Sequence, residues 1–263
     1  MAEIILIAFS VAIFLYSVII HEVSHGYMAL KLGDLTAKYA GRLNLNPFKH
    51  IDPIGSILVP FMMIMTAGFA FGWAKPVPYN PYNLKNQKWG PALVALAGPL
   101  SNLAIALAAA LVGSLVVLSK EAKIDIVQNF DNFSSISQAI AGSLGSIFFE
   151  LMVIIIFWNT LLAFFNLIPV PPLDGSKILF SIIPIRIETM AVLEQFGFFL
   201  LIILIIVDAT TFNILGHLLA YLRIIFFRLA ISGCGVKVFN PSAPWCSADK
   251  IGQQKIYRLG LSC

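Results

Sequence analysis

Long apolar runs separated by short polar stretches dominate this chain, at roughly 4–30, 54–72, 90–118, 147–168, 189–207 and 212–230. About 20 mostly apolar residues suffice for a helix to cross a bilayer, so all six are long enough to be considered. The pattern predicts an all-α polytopic membrane protein. It should have about five to six hydrophobic helices, with a small β-hairpin or re-entrant element after the first. In the polar stretch 31–53, Gly41-Arg42-Leu43-Asn44-Leu45-Asn46-Pro47 alternates like a short strand. Such an edge would be open to a further extended strand. Residues 73–89 carry three prolines and three lysines among aromatics, which predicts an extended interfacial loop. Residues 119–146 are Ser- and Asn-rich with mixed charge, a solvated loop with room for an amphipathic turn. Residues 1–231 therefore read as membrane-embedded and 232–263 as a polar C-terminal tail.

Composition sharpens the class. The chain is 59% hydrophobic and 11% charged, against about 25% charged in ordinary soluble domains. The lipid bilayer is thus its first partner. A net charge of +4 fits basic residues crowded into cytoplasmic loops. No motif for nucleic acid occurs, and no nucleic-acid partner is expected. Residues 1–20 lack the basic start and small-residue cleavage site of a signal peptide and are read as structure. Cys234, Cys246 and Cys263 all fall in the tail, with spacings that match no zinc or redox motif.

The candidate chemistry lies within the first apolar run, at His21-Glu22-Val23-Ser24-His25. An H-E-x-x-H pentapeptide on a helix sets two imidazoles one turn apart on one face, with a carboxylate beside them that can act as general base. Ionisable groups at membrane depth are costly, so three together point to a site rather than to packing. A lone histidine there would more simply be a hydrogen-bonded structural residue. A hydrolytic zinc site usually has three protein ligands. Asp174, in Pro171-Pro172-Leu173-Asp174-Gly175, is the leading third candidate; by itself it would read as a plain Asp-Gly turn.

Ligation by Asp174 demands that it lie on the same side of the membrane as the end of the first helix. If all of 54–72 crossed, the crossings at 90–118 and 147–168 would leave Asp174 on the opposite face. A re-entrant or interfacial 54–72 returns it to the same side. Gly55, Pro60, Gly68 and Gly72 favour such a broken segment. The re-entrant reading also splits the 17 Lys and Arg 15 to 2. The rich side is taken as cytoplasmic, with the N-terminus outside and the candidate site facing the cytoplasmic side of the cell membrane.

Five motifs then occur in order: HEVSHGY at 21–27, GRLNLNPFKHIDPIGSILVP at 41–60, GWAKPVPYNP at 72–81, ALAGPLSN at 95–102 and FNLIPVPPLDGSKIL at 165–179. With them the chain resembles the site-2 protease family of intramembrane zinc metalloproteases, over residues 5–180. The resemblance implies a catalytic core at 1–180 within a membrane-embedded metalloprotease domain at 1–231. It implies one Zn²⁺ held by His21, His25 and Asp174, with Glu22 catalytic. Asn166 matches the family asparagine that helps hold substrate or the tetrahedral oxyanion, a role suited to an amide donor. The implied partner is a membrane-protein substrate with a transmembrane segment. Asn102, in a Gly-Pro-x-x-Asn element, reads equally as site residue and as helix packing. His50 and Asp52 read as motif residues that line the site, bind water or build the interface. Ser176 stands where a second glycine often follows LDG, and no PDZ or CBS insertion is present. The rival reading is a non-hydrolytic metal-binding transporter or sensor. It should need more intramembrane ionisable groups than Glu150 and Glu194. An inactive scaffold would have no use for Glu22.

Overall fold

The first apolar run contains neither proline nor glycine before Gly26, so nothing interrupts a helix there. The computed structural model describes residues 2–59, 61–62, 65, 74–130, 143–183, 187–210 and 214–232. In it, α1 runs Ala2–Lys31. The helix stops at Gly33, whose φ of 109° is the left-handed conformation that glycine adopts without a Cβ penalty. The Gly33 N–H then donates to Leu30 O at 3.1 Å and the Asp34 N–H to Ala29 O at 2.9 Å, satisfying carbonyls the helix would otherwise orphan.

Among the described residues, the other helices of nine residues or more are α2 (Gly90–Leu115), α3 (Lys120–Asn129), α4 (Leu144–Asn166), α5 (Asp174–Ile182), α6 (Ile187–Thr210) and α7 (Ile214–Ile231). Among the described residues, three helices are long and apolar enough to cross a membrane: Ile4–Lys31, Gly90–Leu115 and Leu144–Asn166. Ile5, Phe9, Leu100, Leu107 and Phe148 remain exposed along them. Water would penalise that surface, and lipid accepts it. The helices α6 and α7 occupy the last two apolar runs.

The chain divides into two compact units. One comprises Val11–Ala104 and Trp158–Phe212 and holds the candidate residues. The other comprises Met1–Ser10, Ile105–Phe157 and the chain from Asn213. Its core is built from Phe149, Val153, Ile156, Ile126, Val127 and Phe227. The amphipathic turn expected in 119–146 is α3, capped by Ser119 Oγ, which accepts from the Ala122 N–H at 3.2 Å. Lys123, on the buried face of α3, donates to Gly113 O at 3.0 Å and to Ala230 O at 3.5 Å. One ammonium thus caps carbonyls at the C-terminal ends of both α2 and α7.

The strand expected at 41–47 does not form, and no strand occurs among the described residues. Local side-chain bonds take the backbone groups that a ladder would need. Gly41 turns the chain at φ 64°, and Asn44 Nδ2 donates to Gly41 O at 2.6 Å. Asn44 Oδ1 accepts from the Asn46 N–H at 3.0 Å, and Asn46 Oδ1 from the Phe48 N–H at 3.1 Å. The alternation of polar and apolar residues was a run of Asx turns. Within 54–72, a π-helical segment at Pro53–Leu58 is capped by Asp52, and residues 59, 61, 62 and 65 continue as helix. The rest of that proposed re-entrant segment lies outside the described residues, as do 131–142 and the tail from 233 with its cysteines.

Asp34 ties the end of α1 to the loop that precedes α2. It is 0% exposed. Its Oδ1 accepts from Thr36 N at 3.1 Å, Thr36 Oγ1 at 2.6 Å and Asn83 Nδ2 at 3.0 Å, and its Oδ2 from Asn80 N at 2.7 Å. Burial opposes its ionisation. The hydrogen bonds from Thr36, Asn83 and Asn80 outweigh burial and hold the carboxyl below its ordinary 3.8. A carboxylate with a depressed folded pKa stabilises above its unfolded pKa, and that stability is lost as pH falls through the folded value. Asp34→Asn turns an N–H toward the Asn80 N–H and should cost about 1–3 kcal/mol near neutral pH. Thermal unfolding in detergent should show the gap between wild type and variant closing as pH drops below 3.8. A gap independent of pH would contradict this role.

Candidate metal centre

Helix α1 places His21 and His25 on one face because residues four apart stack one turn above another. The ring centroids lie 4.6 Å apart with planes at 87°. Asp174 begins α5 after a turn-rich segment whose prolines prevent regular helix. Its position depends on Gly175. A Cβ there would strike the carbonyls of Leu167 and Ile168, so only glycine lets the chain fold so closely.

The imidazole Nε2 atoms of His21 and His25 each lie 3.1 Å from Asp174 Oδ2. Metal–ligand bonds of about 2.0–2.2 Å at tetrahedral angles put neighbouring donors about 3.3 Å apart. The spacing therefore suits a small cation. Lys177 Nζ stands 3.7 Å from the other carboxylate oxygen. An ionised carboxylate is the form that binds a metal.

The far ring nitrogens complete the case for a metal. His25 Nδ1 lies 2.7 Å from Val94 O. A carbonyl only accepts, so Nδ1 carries the hydrogen and Nε2 presents its lone pair toward Asp174. His21 Nδ1 lies 2.8 Å from Asn102 Oδ1. Ligating histidines characteristically have their second nitrogen fixed in this way. A cation relieves the repulsion among lone pairs that converge without donors. Helix α2 leaves room for it. A Cβ on Gly98 would lie 2.5 Å from His25 Nε2 and 2.6 Å from His21 Nε2, against both donor nitrogens.

Glu22 is held from the other side of the loop. Its Oε2 accepts from the Val77 N–H at 3.0 Å. Arg42, which is buried, donates through Nη2 to Lys75 O at 2.7 Å, and the Lys75 N–H donates to His50 O at 2.9 Å. Gly26, one turn beyond Glu22, makes the approach possible, since a Cβ there would come within 2.6 Å of Leu43 and 2.8 Å of Val77.

The structure brings His21, His25 and Asp174 together as three donors within 4.8 Å of one another. Asn166 Nδ2 donates to Leu162 O at 2.9 Å, one turn back on its own helix. His50 donates through Nε2 to Asn44 O at 2.8 Å, and Asp52 caps the Pro53–Leu58 segment, so both build the loop after α1. Asn102 bonds both His21 Nδ1 and, on neighbouring helices, Asn159 and Ser17 O, contacts that fit either of its two readings. Sequence reasoning missed Gly98, the Val94 carbonyl and the Val77 amide. Gly98 falls within ALAGPLSN and Val77 within GWAKPVPYNP, but main-chain contacts leave no side-chain mark in a sequence.

The family model for peptidase family M50 matches residues 8–204. The chain is 36% identical over 202 residues to the protein named "Putative zinc metalloprotease YwhC" of Bacillus subtilis (strain 168), covering 76% of this chain and 81% of that one. It is 26% identical over 200 residues to "Putative zinc metalloprotease Rip2" of Mycolicibacterium smegmatis (strain ATCC 700084 / mc(2)155), covering 76% of this chain and 67% of that one. No solved structure matches. The match extends past the last of the five motifs and takes in His21, Glu22, His25 and Asp174, and the chain belongs to peptidase family M50, the site-2 proteases.

Proposed function

We propose that this chain is an intramembrane zinc metalloprotease that hydrolyses peptide bonds within or near transmembrane segments of membrane proteins. His21, His25 and Asp174 hold the ion and Glu22 is the general base. One observation carries the reading: two imidazoles, each with its far nitrogen bonded to a protein acceptor, meet a carboxylate at 3.1 Å beside a glycine whose Cβ would lie against both ring nitrogens. A zinc ion bound there supplies Lewis acidity, polarising a carbonyl and acidifying water. Glu22 removes the proton from the attacking water and returns it to the departing amine. The Val77 N–H keeps the Glu22 carboxylate oriented for this exchange. Asn166 has a second amide hydrogen beyond the one given to Leu162, and directs it to the developing oxyanion.

The contact between α1 and Asp174 also supports the topology. Two crossings, α2 and α4, lie between those residues and return the chain to one side, provided that 54–72 does not cross. The helices α6 and α7 bring the hydrophobic helices to five. The N-terminus is then outside and the site opens toward the cytoplasm. Substrate helices must unwind to expose their amides. The Asx turns at 41–47 offer no strand edge to receive them.

Purified protein in detergent, offered a panel of single-span substrates, separates protease from passive metal binder. Wild type should cleave with about one zinc per chain, as expected of a single hydrolytic site. Glu22→Gln should keep the zinc and lose about 10²–10⁴-fold in rate. Undiminished cleavage by Glu22→Gln would remove Glu22 from the chemistry, and wild-type protein without zinc would overturn the ligand set. Gly98→Ala should bind zinc at least about tenfold more weakly, because its methyl group lies against both donor nitrogens. Unchanged affinity there would place the ion away from α2.

A further inference from the structure

Three polar groups lie behind the metal centre, in the same unit, and of these only Asn102 has a contact with it described above. Ser17, Asn102 and Asn159 are 4%, 0% and 0% exposed. Amides among apolar helices are costly unless they do something. These form a chain of hydrogen bonds whose polarity can be worked out from one end.

The Ser17 hydroxyl lies 2.7 Å from Ile13 O, a carbonyl that only accepts, so its single hydrogen is committed there. Ser17 Oγ, 2.9 Å from the Asn159 amide, must therefore accept, and Asn159 turns its Nδ2 toward it. That leaves Asn159 Oδ1 facing Asn102 at 3.0 Å, where it accepts from Asn102 Nδ2. Ser17 O, 3.5 Å from the same Nδ2, imposes the same orientation on the amide. Asn102 Oδ1 is consequently the atom that faces His21 Nδ1 at 2.8 Å, and His21 must donate. The hydrogen of the neutral ring is on Nδ1, and Nε2 presents its lone pair toward Asp174.

We propose that Ser17 and Asn159 are positioning residues for His21. Acting through Asn102, they fix which ring nitrogen carries the hydrogen and so keep Nε2 ready to bind the metal. The proposal rests on the reading of His21 as a metal ligand. His25 receives the same instruction directly from the Val94 carbonyl. A side-chain amide such as Asn102 presents either end with nearly equal ease, so it conveys a tautomer only when something beyond it forbids the flip. Asn159 and Ser17 forbid it.

The test uses full-length protein in detergent, stripped of metal and labelled with ¹⁵N-histidine. The His21 signals are assigned by their loss in His21→Gln. Ring nitrogen shifts report the tautomer, and competition with a chelator gives the zinc Kd. Wild type should show a single His21 tautomer with hydrogen on Nδ1. Asn159→Leu should show a mixture of tautomers and a zinc Kd raised about tenfold or more, the scale of a lost bond behind a ligand. Ser17→Thr, which keeps the hydroxyl, should match wild type. If Asn159→Leu fails to fold, Ser17→Ala carries the test, with the same direction expected. Hydrogen on Nε2 in wild type overturns the proposal, as does an unchanged tautomer and Kd in whichever variant folds. Wild type that binds no zinc overturns the ligand reading instead, and the tautomer result still decides this proposal.

Discussion

A neutral imidazole has one lone pair and one hydrogen, and this protein depends on where each is sent. Lone pairs from two rings and a carboxylate converge at 3.1 Å in a setting too apolar to hydrate them. The arrangement is stable only if the far side of each ring is bonded and the near side shares a cation. Much of the rest follows from that demand. The helix that carries the rings is uninterrupted, the helix facing them has glycine at 98, and the chain that delivers Asp174 turns so tightly that residue 175 must be glycine.

The loop between α1 and α2 serves the same demand for Glu22, the proposed general base. Asp34 gathers the two ends of the loop, and Arg42 takes the carbonyls of its extended part. The Val77 amide is then aimed at Glu22 across the notch at Gly26. These two buried charged groups, each bonded to main-chain groups, act beside the small apolar cluster to which the loop contributes Leu84 and Tyr79. Lys123 does comparable work in the other unit, where one ammonium serves the carbonyl ends of two helices.

The helices and the candidate metal-binding cluster were legible in the sequence because each leaves a local mark. Apolar length announces a helix at Ile4–Lys31 or Leu144–Asn166 whatever surrounds it, and the spacing of His21 and His25 fixes their common face. The 41–47 stretch misled because alternation counts polar residues without asking what they bond. Asn44 and Asn46 bond their own backbone. Asn159 stayed hidden for a different reason. A single amide in an apolar helix carries no period, and its partners are 57 and 142 residues away in the chain. Val94 and Val77 could not have been found at all, since the groups that matter there are common to every residue except proline at the amide.

That last point bears on how such a centre ages through evolution. His25 and Glu22 are steadied by a main-chain carbonyl and a main-chain amide, which almost any substitution at 94 or 77 would preserve. His21 is steadied by side chains alone, through three residues on three different helical stretches. Random drift therefore falls unevenly on two ligands that look equivalent. One half of the centre is insulated from mutation at its supports, and the other leans on side chains that substitution can remove.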